Sequence, residues 1–274
     1  MCAALLFMDR KKAMLAGAGL FVLSGLPCKI DVSTYEIETG YIHEDVRLCV
    51  LSDLHSCRFG KKQRQIRRIL EKYQPDIILM PGDIIDDLKS DEAAFELFEV
   101  CRPYETYYSP GNHEVRLPDE KLAEYWMRME EMGIRVLIDD SVYDRKRGIE
   151  IAGLHSLPHH VDCSHAYVNT LFHHEGCRIL MSHRPCFPSF YKGLQCDLVV
   201  SGHAHGGQWR IPFTHQGLYA PQEGIFPKYT EGVHALGNVK LCVSRGLNRS
   251  AYYIPRLFNN PEIVFIDLRK KEKA

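Results

Sequence analysis

Five short apolar runs in this chain each end in side chains that can bind a metal ion. The apolar runs alternate with amphipathic segments of about a dozen residues, a pattern typical of β-strands and α-helices packed in layers. The predicted strands are Val46 to Ser52, Asp76 to Met80, Tyr104 to Ser109, Ile149 to Leu154, Arg178 to Ser182, Asp197 to Ser201, Val239 to Ser244 and Glu262 to Asp267. No linker or repeat interrupts them, so we expect one α/β domain over residues 45–268.

Three segments between these strands have the apolar spacing of amphipathic helices. They are Lys61 to Tyr73, Ala93 to Cys101 and Leu122 to Gly133. The first has five cationic side chains around its apolar stripe, so we expect a helix with a basic outer face that is either simply solvated or in contact with anionic lipid.

The N-terminus has the composition of a targeting or anchoring segment. Arg10, Lys11 and Lys12 precede fourteen residues, Ala13 to Leu26, in which Ser24 is the only polar side chain. This run is shorter than the roughly 17–25 residues of a membrane span and fits the about 7–15 residues of a signal h-region. We predict a signal or anchor segment over residues 1–28, and hence a membrane-associated or exported protein. A membrane-surface helix and a buried core helix are the alternatives.

Charge and cysteine content exclude several classes of protein. The 34 Lys and Arg residues nearly balance the 35 Asp and Glu residues, so no overall field favours a specific nucleic acid as partner. The ten cysteines include no C-x-x-C pair, which argues against thiolate metal sites and a disulfide scaffold. No feature of the sequence points to an organic cofactor or an obligate protein partner.

The candidate metal ligands follow the predicted strands in five clusters. They are Asp53 with His55, Asp83 with Asp86, Asn112 with His113, His183, and His203 with His205. A lone Asp or His at a strand end is usually a cap or a turn residue. Five such clusters in succession instead favour one shared site, because the carboxyl ends of strands in layered α/β folds line a common crevice.

The types and spacing of these residues favour two divalent metal ions. Imidazoles, carboxylates and one amide oxygen suit Mn, Fe or Zn. In extended backbone, residues i and i+2 point to the same face, so Asp53 with His55 and His203 with His205 can each present two ligands to one cavity. The seven predicted ligands are Asp53, His55, Asp83, Asn112, His183, His203 and His205.

Such a site predicts phosphoester hydrolysis. Two divalent ions, two aspartates and a bridging hydroxide leave a small positive charge that attracts a phosphate, and the hydroxide can attack phosphorus. A leaving alkoxide needs a proton, and His113, next to Asn112, is positioned to supply it as a general acid. We expect Asp86 to orient that imidazole.

The five clusters together resemble the calcineurin-like metallophosphoesterases. The matching motifs are Asp53-Leu54-His55, Gly82-Asp83-Ile84-Ile85-Asp86, Gly111-Asn112-His113-Glu114, Ser182-His183 and Gly202-His203-Ala204-His205. Two more strings, Gly206-Gly207-Gln208 and Ser244-Arg245-Gly246-Leu247, resemble the bacterial, membrane-associated phosphodiesterase branch of that superfamily.

The resemblance implies a fold, a ligand assignment and an activity. The fold would be a four-layer sandwich of two mixed β-sheets flanked by helices. One metal would bind Asp53, His55, Asp83 and His205, and the other Asp83, Asn112, His183 and His203, with Asp83 bridging. The activity would be hydrolysis of a phosphodiester or pyrophosphate bond in a small or lipid-linked substrate. A phosphomonoesterase using the same site and a non-catalytic metal-binding scaffold are the alternatives.

One position departs from the phosphoprotein phosphatases of the superfamily. Asp87 stands where they carry a phosphate-binding arginine, which disfavours protein phosphatase activity. The possible substitutes are Arg58, Arg116, Arg184 and Arg245. The histidine-rich stretch from His155 to His165 is either a polar surface loop or a substrate loop with an accessory metal site.

Overall fold

A computed structural model of the chain describes residues 10–155, 164–221, 223–251 and 254–271. Its α-helices are α1 (Arg10–Ser24), α2 (Arg64–Tyr73), α3 (Glu92–Cys101), α4 (Asp119–Glu131), α5 (His165–Asn169) and α6 (Pro188–Tyr191), with short 3₁₀ turns at Lys61–Gln63, Glu114–Arg116 and His205–Gly207. Its strands are β1 (Asp31–Thr39), β2 (Val46–Val50), β3 (Ile77–Pro81), β4 (Glu105–Ser109), β5 (Ile134–Val136), β6 (Asp140–Asp144), β7 (Ile149–Gly153), β8 (Cys177–Met181), β9 (Leu198–Ser201), β10 (Tyr219–Ala220), β11 (Gly224–Ile225), β12 (Gly232–Leu236), β13 (Val239–Val243), β14 (Ser250–Ala251), β15 (Ile254–Pro255) and β16 (Glu262–Lys270).

The larger strands form two mixed six-stranded sheets. The first has the order β1-β16-β2-β3-β4-β5, and the second has the order β12-β13-β9-β8-β7-β6. In the first sheet only the β16–β2 pair is antiparallel. In the second sheet β7, β8, β9 and β13 are parallel, and β6 and β12 close the two edges in the antiparallel sense. The pairs β10–β11 and β14–β15 are separate two-stranded ribbons.

Alternating side chains pack the two sheets into four layers. On β2, Leu48 and Val50 belong to the apolar cluster between the sheets, whereas Cys49 belongs to the cluster beneath α2, α3 and α4. A third cluster joins the outer face of the second sheet to α5 and α6. Both faces of the central strands are therefore covered, which explains why they read as continuous apolar runs in the sequence. The predicted four-layer α/β fold is confirmed, and so are the eight predicted strands and three predicted helices.

The predicted start of the domain at residue 45 is too late. Strand β1 pairs in parallel with β16 along nine residues, from Asp31 opposite Glu262 to Thr39 opposite Lys270, and forms an edge of the first sheet. Its sequence mixes apolar residues with Ser, Thr and Glu because its outward side chains meet water. A search for continuous apolar runs therefore misses it.

The N-terminal helix α1 contacts the domain through its C-terminal end. The Phe21 and Phe258 rings lie 4.9 Å apart, and the backbone N–H of Phe258 donates to the Gly25 carbonyl at 2.6 Å. Several apolar side chains of α1 are largely exposed: Met14, Leu15, Leu20, Phe21, Val22 and Leu23. The alternative of a buried core helix is therefore wrong. No helix within the described ranges combines the length and apolarity needed to cross a bilayer.

Two sequence predictions lie wholly or partly outside the described residues. The histidine-rich stretch includes residues 156–163, and the predicted anchor segment includes residues 1–9; neither range is described.

Removal of β1 should disrupt the first sheet, because β16 would lose its parallel partner and expose a row of unpaired backbone groups. We expect a chain beginning at residue 45 to aggregate or to melt well below a chain beginning at residue 29. Thermal unfolding followed by circular dichroism, with size-exclusion chromatography of both proteins, measures this. Equal melting temperatures for two monomeric proteins would contradict the role given to β1.

Candidate metal centre

The seven predicted ligands meet where strands of both sheets end. Asp53 and His55 follow β2, Asp83 follows β3, Asn112 follows β4, His183 follows β8, and His203 and His205 follow β9. All seven side chains are buried. The atoms available for coordination form two groups, Asp53 with His55 and His205, and Asp83 with His183 and His203, and within each group they lie within 4.8 Å of one another.

Asp83 lies between these two groups. Its Oδ2 is 3.0 Å from Nε2 of His183 and 3.6 Å from Nε2 of His55. Its other oxygen, Oδ1, accepts a hydrogen bond of 2.9 Å from the backbone N–H of His113. One carboxylate oxygen therefore faces a histidine of each group, which is the position that a ligand shared by two neighbouring ions requires.

The unpaired polar atoms of the site fit divalent metal ions. His55 Nε2, Asn112 Oδ1, His203 Nε2 and His205 Nδ1 are buried and have no hydrogen-bond partner among the described residues. A buried polar atom without a partner costs about 1–3 kcal/mol, so four in one cavity need a common explanation. Each is an atom type that coordinates Mn, Fe or Zn, and metal ions at this position would satisfy all four.

The backbone at these ligands is not extended, contrary to the argument from i and i+2 spacing. Asp53, His55, Asp83, His203 and His205 have φ values between 47° and 63°, in the left-handed region that non-glycine residues rarely adopt. Strand β2 ends at Val50, three residues before Asp53, so the ligands stand on tight turns beyond the strands. Such backbone strain is common at functional sites, where the surrounding structure holds it in place.

A buried carboxylate connects the two turns that carry Asp83 and Asn112. Glu114 Oε2 accepts hydrogen bonds of 2.9 Å from the backbone N–H groups of Asp83 and Gly111, and Oε1 accepts one of 2.9 Å from Ile85. Gly82 has φ of 86°, and a Cβ there would overlap the backbone of Gly111. Glycine at position 82 thus permits a contact between backbones that any other residue would prevent.

Hydrogen bonding orients one imidazole of the site, and burial keeps two others neutral. His183 Nδ1 lies 2.7 Å from the Pro81 carbonyl oxygen, which turns Nε2 toward Asp83. Burial lowers the pKa of His203 and of His205 well below the usual range, so both rings are neutral and can donate a lone pair. Burial also opposes ionisation of Asp83, but the charge of His183 holds the pKa of Asp83 well below its usual range. Burial opposes protonation of His183, but the carboxylates of Asp83 and Asp53 outweigh it and raise the pKa of His183 to about 9, so a metal ion that binds Nε2 would replace a proton there.

The residue that orients His113 is Asp87 rather than the predicted Asp86. Asp87 Oδ1 is hydrogen-bonded to Nδ1 of His113. Asp86 Oδ2 instead lies 3.3 Å from Nδ1 of His55, and Lys89 donates to the same oxygen at 2.9 Å. Asp86 therefore supports a candidate metal ligand, and its neighbour supports the candidate acid. Side chains at consecutive positions point in different directions, and the sequence does not show which one faces His113.

An open cavity of about 240 Å³ gives access to the site. Its lining includes Asp83, Asn112, His113, His203, His205, Arg116 and Arg184. Arg116 and Arg184 thus stand where a phosphate-binding arginine is needed. Arg116 lies 3.8 Å from Oδ2 of Asp87, the carboxylate that also holds His113. Arg58 is paired with Glu92 and Glu96, and Arg245 with Asp31, Glu231 and Glu262. Neither Arg58 nor Arg245 is among the residues that line the cavity, so their ion pairs have a structural role.

Comparison with known proteins agrees with this site. The family model described as calcineurin-like phosphoesterase matches residues 46–207, more than half of the chain. This protein therefore belongs to the calcineurin-like phosphoesterase family. The match includes all seven candidate ligands, His113, Asp86 and Asp87.

Curated relatives match most of this chain at low identity. A metallophosphoesterase of Campylobacter jejuni is 28% identical over 254 residues, covering 88% of this chain and 64% of the relative. The phosphodiesterase YaeI of Escherichia coli is 27% identical over 237 residues, covering 81% of this chain and 82% of the relative. The metallophosphoesterase YkuE of Bacillus subtilis is 26% identical over 275 residues and is covered to 92%. This chain thus spans less than two thirds of the first relative and most of the other two.

Three features of the site were not found by reasoning from the sequence. Glu114 was part of a matched motif, but its link between two turns depends on hydrogen bonds to three backbone groups. In the sequence, Asp87 is recognisable only as the position of a missing arginine. Arg256, whose side chain is completely buried, interacts electrostatically with Asp53 and His205, and burial lowers its pKa to about 9. Arg256 lies in the apolar segment Ile254-Pro255-Arg256-Leu257-Phe258, but an arginine side chain by itself gives no sequence signal of burial.

The neighbouring carboxylates Asp86 and Asp87 should have separable roles. We expect Asp86→Asn to weaken metal binding about 10–100-fold, because it removes the partner that orients His55. Asp87→Asn should leave metal affinity unchanged and slow hydrolysis of esters with poor leaving groups. Competition with a metal chelator measures the first effect, and turnover of aryl esters of graded leaving-group pKa measures the second. Equal metal affinity in the two variants would contradict this division.

Proposed function

We propose that this protein is a metal-dependent hydrolase that cleaves a phosphodiester or pyrophosphate bond in a small or lipid-linked substrate. The observation that carries the proposal is the set of four unpaired, buried ligand atoms around Asp83, beside a cavity lined by three of those ligand residues and by two arginines. The phosphodiesterase activity of YaeI, stated in the name of that relative, supports a diester over a monoester.

Two divalent ions would be held by the seven ligands, one by Asp53, His55, Asp83 and His205 and one by Asp83, Asn112, His183 and His203. When bound, Mn, Fe or Zn ions in such a pair supply an activated water nucleophile and neutralise charge on the phosphoryl oxygens. The chain contributes the geometry: Asp86 and Pro81 fix the imidazole rings of His55 and His183.

The remaining polar residues of the cavity bind the phosphoryl group and protonate the leaving group. Arg116 and Arg184 present guanidinium groups suited to two phosphoryl oxygens. Asp87 holds Nδ1 of His113, which leaves Nε2 as the atom that donates a proton to the departing oxygen. A cavity of about 240 Å³ holds a phosphoryl group and its nearest atoms, so the rest of a larger substrate lies outside it.

Two other functions use the same residues. A phosphomonoesterase would need the same metal ligands and arginines. A scaffold without catalysis would be expected to have lost ligands, whereas all seven ligand positions are filled here.

For localisation, we propose association with a membrane through α1, whose apolar side chains are exposed and follow three cationic residues.

The proposal is tested by hydrolysis of a bis-aryl and a mono-aryl phosphate by the purified protein with added Mn²⁺. We expect faster turnover of the diester, and we expect Asp83→Asn to abolish turnover and to reduce bound metal, because it removes the carboxylate shared by both groups. Hydrolysis of the monoester alone would favour the phosphomonoesterase. An Asp83→Asn variant that keeps both its activity and its bound metal would contradict the role of Asp83.

Replacement of His113 tests the proton donor separately. We expect His113→Ala to retain bound metal and to slow hydrolysis of a diester with an alkyl leaving group by roughly 10²–10⁴. The effect should be smaller for a nitrophenyl leaving group, which departs without a proton. Equal rates for wild type and variant on the alkyl diester would show that another group supplies the proton.

A further inference from the structure

A set of exposed apolar side chains lies on the chain segments beside the cavity. We call this set the rim and define it as Trp209, Phe213, Ile225, Phe226 and Ile254. Phe213, Ile225 and Phe226 each expose more than half of their surface to solvent, and Trp209 and Ile254 expose more than two fifths. Isolated exposed apolar residues are normal, but a group around a binding cavity marks an interaction surface.

Hydrogen bonds hold the segments that carry the rim beside the cavity. Tyr219, which lines the cavity, is paired with Ile225, and the Phe226 N–H donates to Leu218. The Trp209 indole N–H donates to the Pro255 carbonyl at 3.0 Å, next to Ile254, which also lines the cavity. The rim is therefore tied to the cavity walls on two sides.

Helix α1 reaches the domain close to the rim. Its end is fixed to Phe258, four residues along the chain from Ile254, so the two contacts are separated by at most roughly 14 Å. Leu20, Phe21, Val22 and Leu23 are consecutive and exposed, and four consecutive residues extend around nearly a full helical turn. A protein groove covers one side of a helix, whereas a bilayer surrounds it, which favours lipid as the occupant.

Cationic side chains lie near the segment that carries Ile254 of the rim, where the Arg256 N–H donates to the Arg249 carbonyl at 3.3 Å. The guanidinium of Arg249, which precedes the β14–β15 ribbon, lies 4.7 Å from the centre of the Phe59 ring. Two residues after Phe59 begins a run of exposed cations: Lys61, Lys62, Arg64, Arg67 and Arg68. The chain as a whole has a net charge of −1, so this concentration of positive charge is local. Such a surface suits an anionic bilayer, because the cations can pair with lipid phosphates while the neighbouring apolar side chains enter the headgroup region.

We propose that the rim docks on the surface of an anionic phospholipid bilayer, with the cavity mouth toward the lipid. The rim side chains would enter the headgroup region while the cations of the Lys61–Arg68 segment pair with lipid phosphates. This orientation favours a substrate whose phosphoester lies at the bilayer surface. That consequence rests on the proposed function. The docking itself does not depend on which bond is cleaved.

The test must separate docking of the rim from anchoring by α1 alone. The chain has two tryptophans, and Trp126 lies on α4, so Trp126→Phe leaves Trp209 as the single tryptophan, whose emission is excited selectively at wavelengths that tyrosine does not absorb. We expect this full-length variant to float with phosphatidylglycerol vesicles and its fluorescence to be quenched by brominated phosphatidylglycerol. Flotation without quenching would show that α1 binds while the rim faces water, and would overturn the proposal. Absence of flotation would overturn it as well.

Rim variants give a second, independent measurement. We expect Phe213→Ser, Ile225→Ser and Phe226→Ser combined to reduce quenching of Trp209 severalfold, and Met127→Ser, an exposed apolar residue on α4, to have no effect. Hydrolysis of a soluble bis-aryl phosphate should be unchanged in both variants, so a failure of docking is distinguishable from a failure of the proposed chemistry. Sedimentation velocity without lipid examines self-association. A dimer that the rim variants dissociate would assign the rim to a second copy of the chain and overturn docking on lipid.

Discussion

The rest of the site depends on the hydrogen bonds that the carboxylate of Glu114 accepts. It accepts three hydrogen bonds from backbone N–H groups on two separate turns, one after β3 and one after β4. Burial, together with the nearby charge of Asp83, raises the pKa of Glu114 to about 7, so the arrangement has an electrostatic cost. The three hydrogen bonds offset this cost and fix Asp83 and Asn112 relative to one another, because each residue belongs to or adjoins one of these turns.

The order of the strands explains why the site requires the complete domain. Ligands come from β2, β3 and β4 of the first sheet and from β8 and β9 of the second, so neither sheet alone contains both groups. Direct contacts join the halves: the His203 N–H donates to both carboxylate oxygens of Asp53, and His183 Nδ1 contacts the Pro81 carbonyl. The apolar layer between the sheets holds these partners in register, and that rigid support permits left-handed backbone at five ligands.

The sequence predicted the central strands well because both of their faces are buried, as with Ile77 to Met80. It missed β1, since an edge strand with one face in water has a weak apolar pattern. The ligands were found by residue type and position after strands, although the supporting argument from extended backbone at Asp53 and His55 was wrong. Reasoning of this kind could not distinguish Asp86 from Asp87, because their partners depend on side-chain directions in a turn.

The central claim is that seven side chains from five strand ends enclose two metal ions around Asp83. The most direct measurement is a crystal structure of the wild-type protein with anomalous scattering at the metal edge, together with metal analysis of the same sample. We expect two ions per chain, one beside Asp53, His55 and His205 and one beside Asp83, His183 and His203. A protein that hydrolyses phosphodiesters at full rate with less than one ion per chain, or with its ions bound elsewhere, would contradict it.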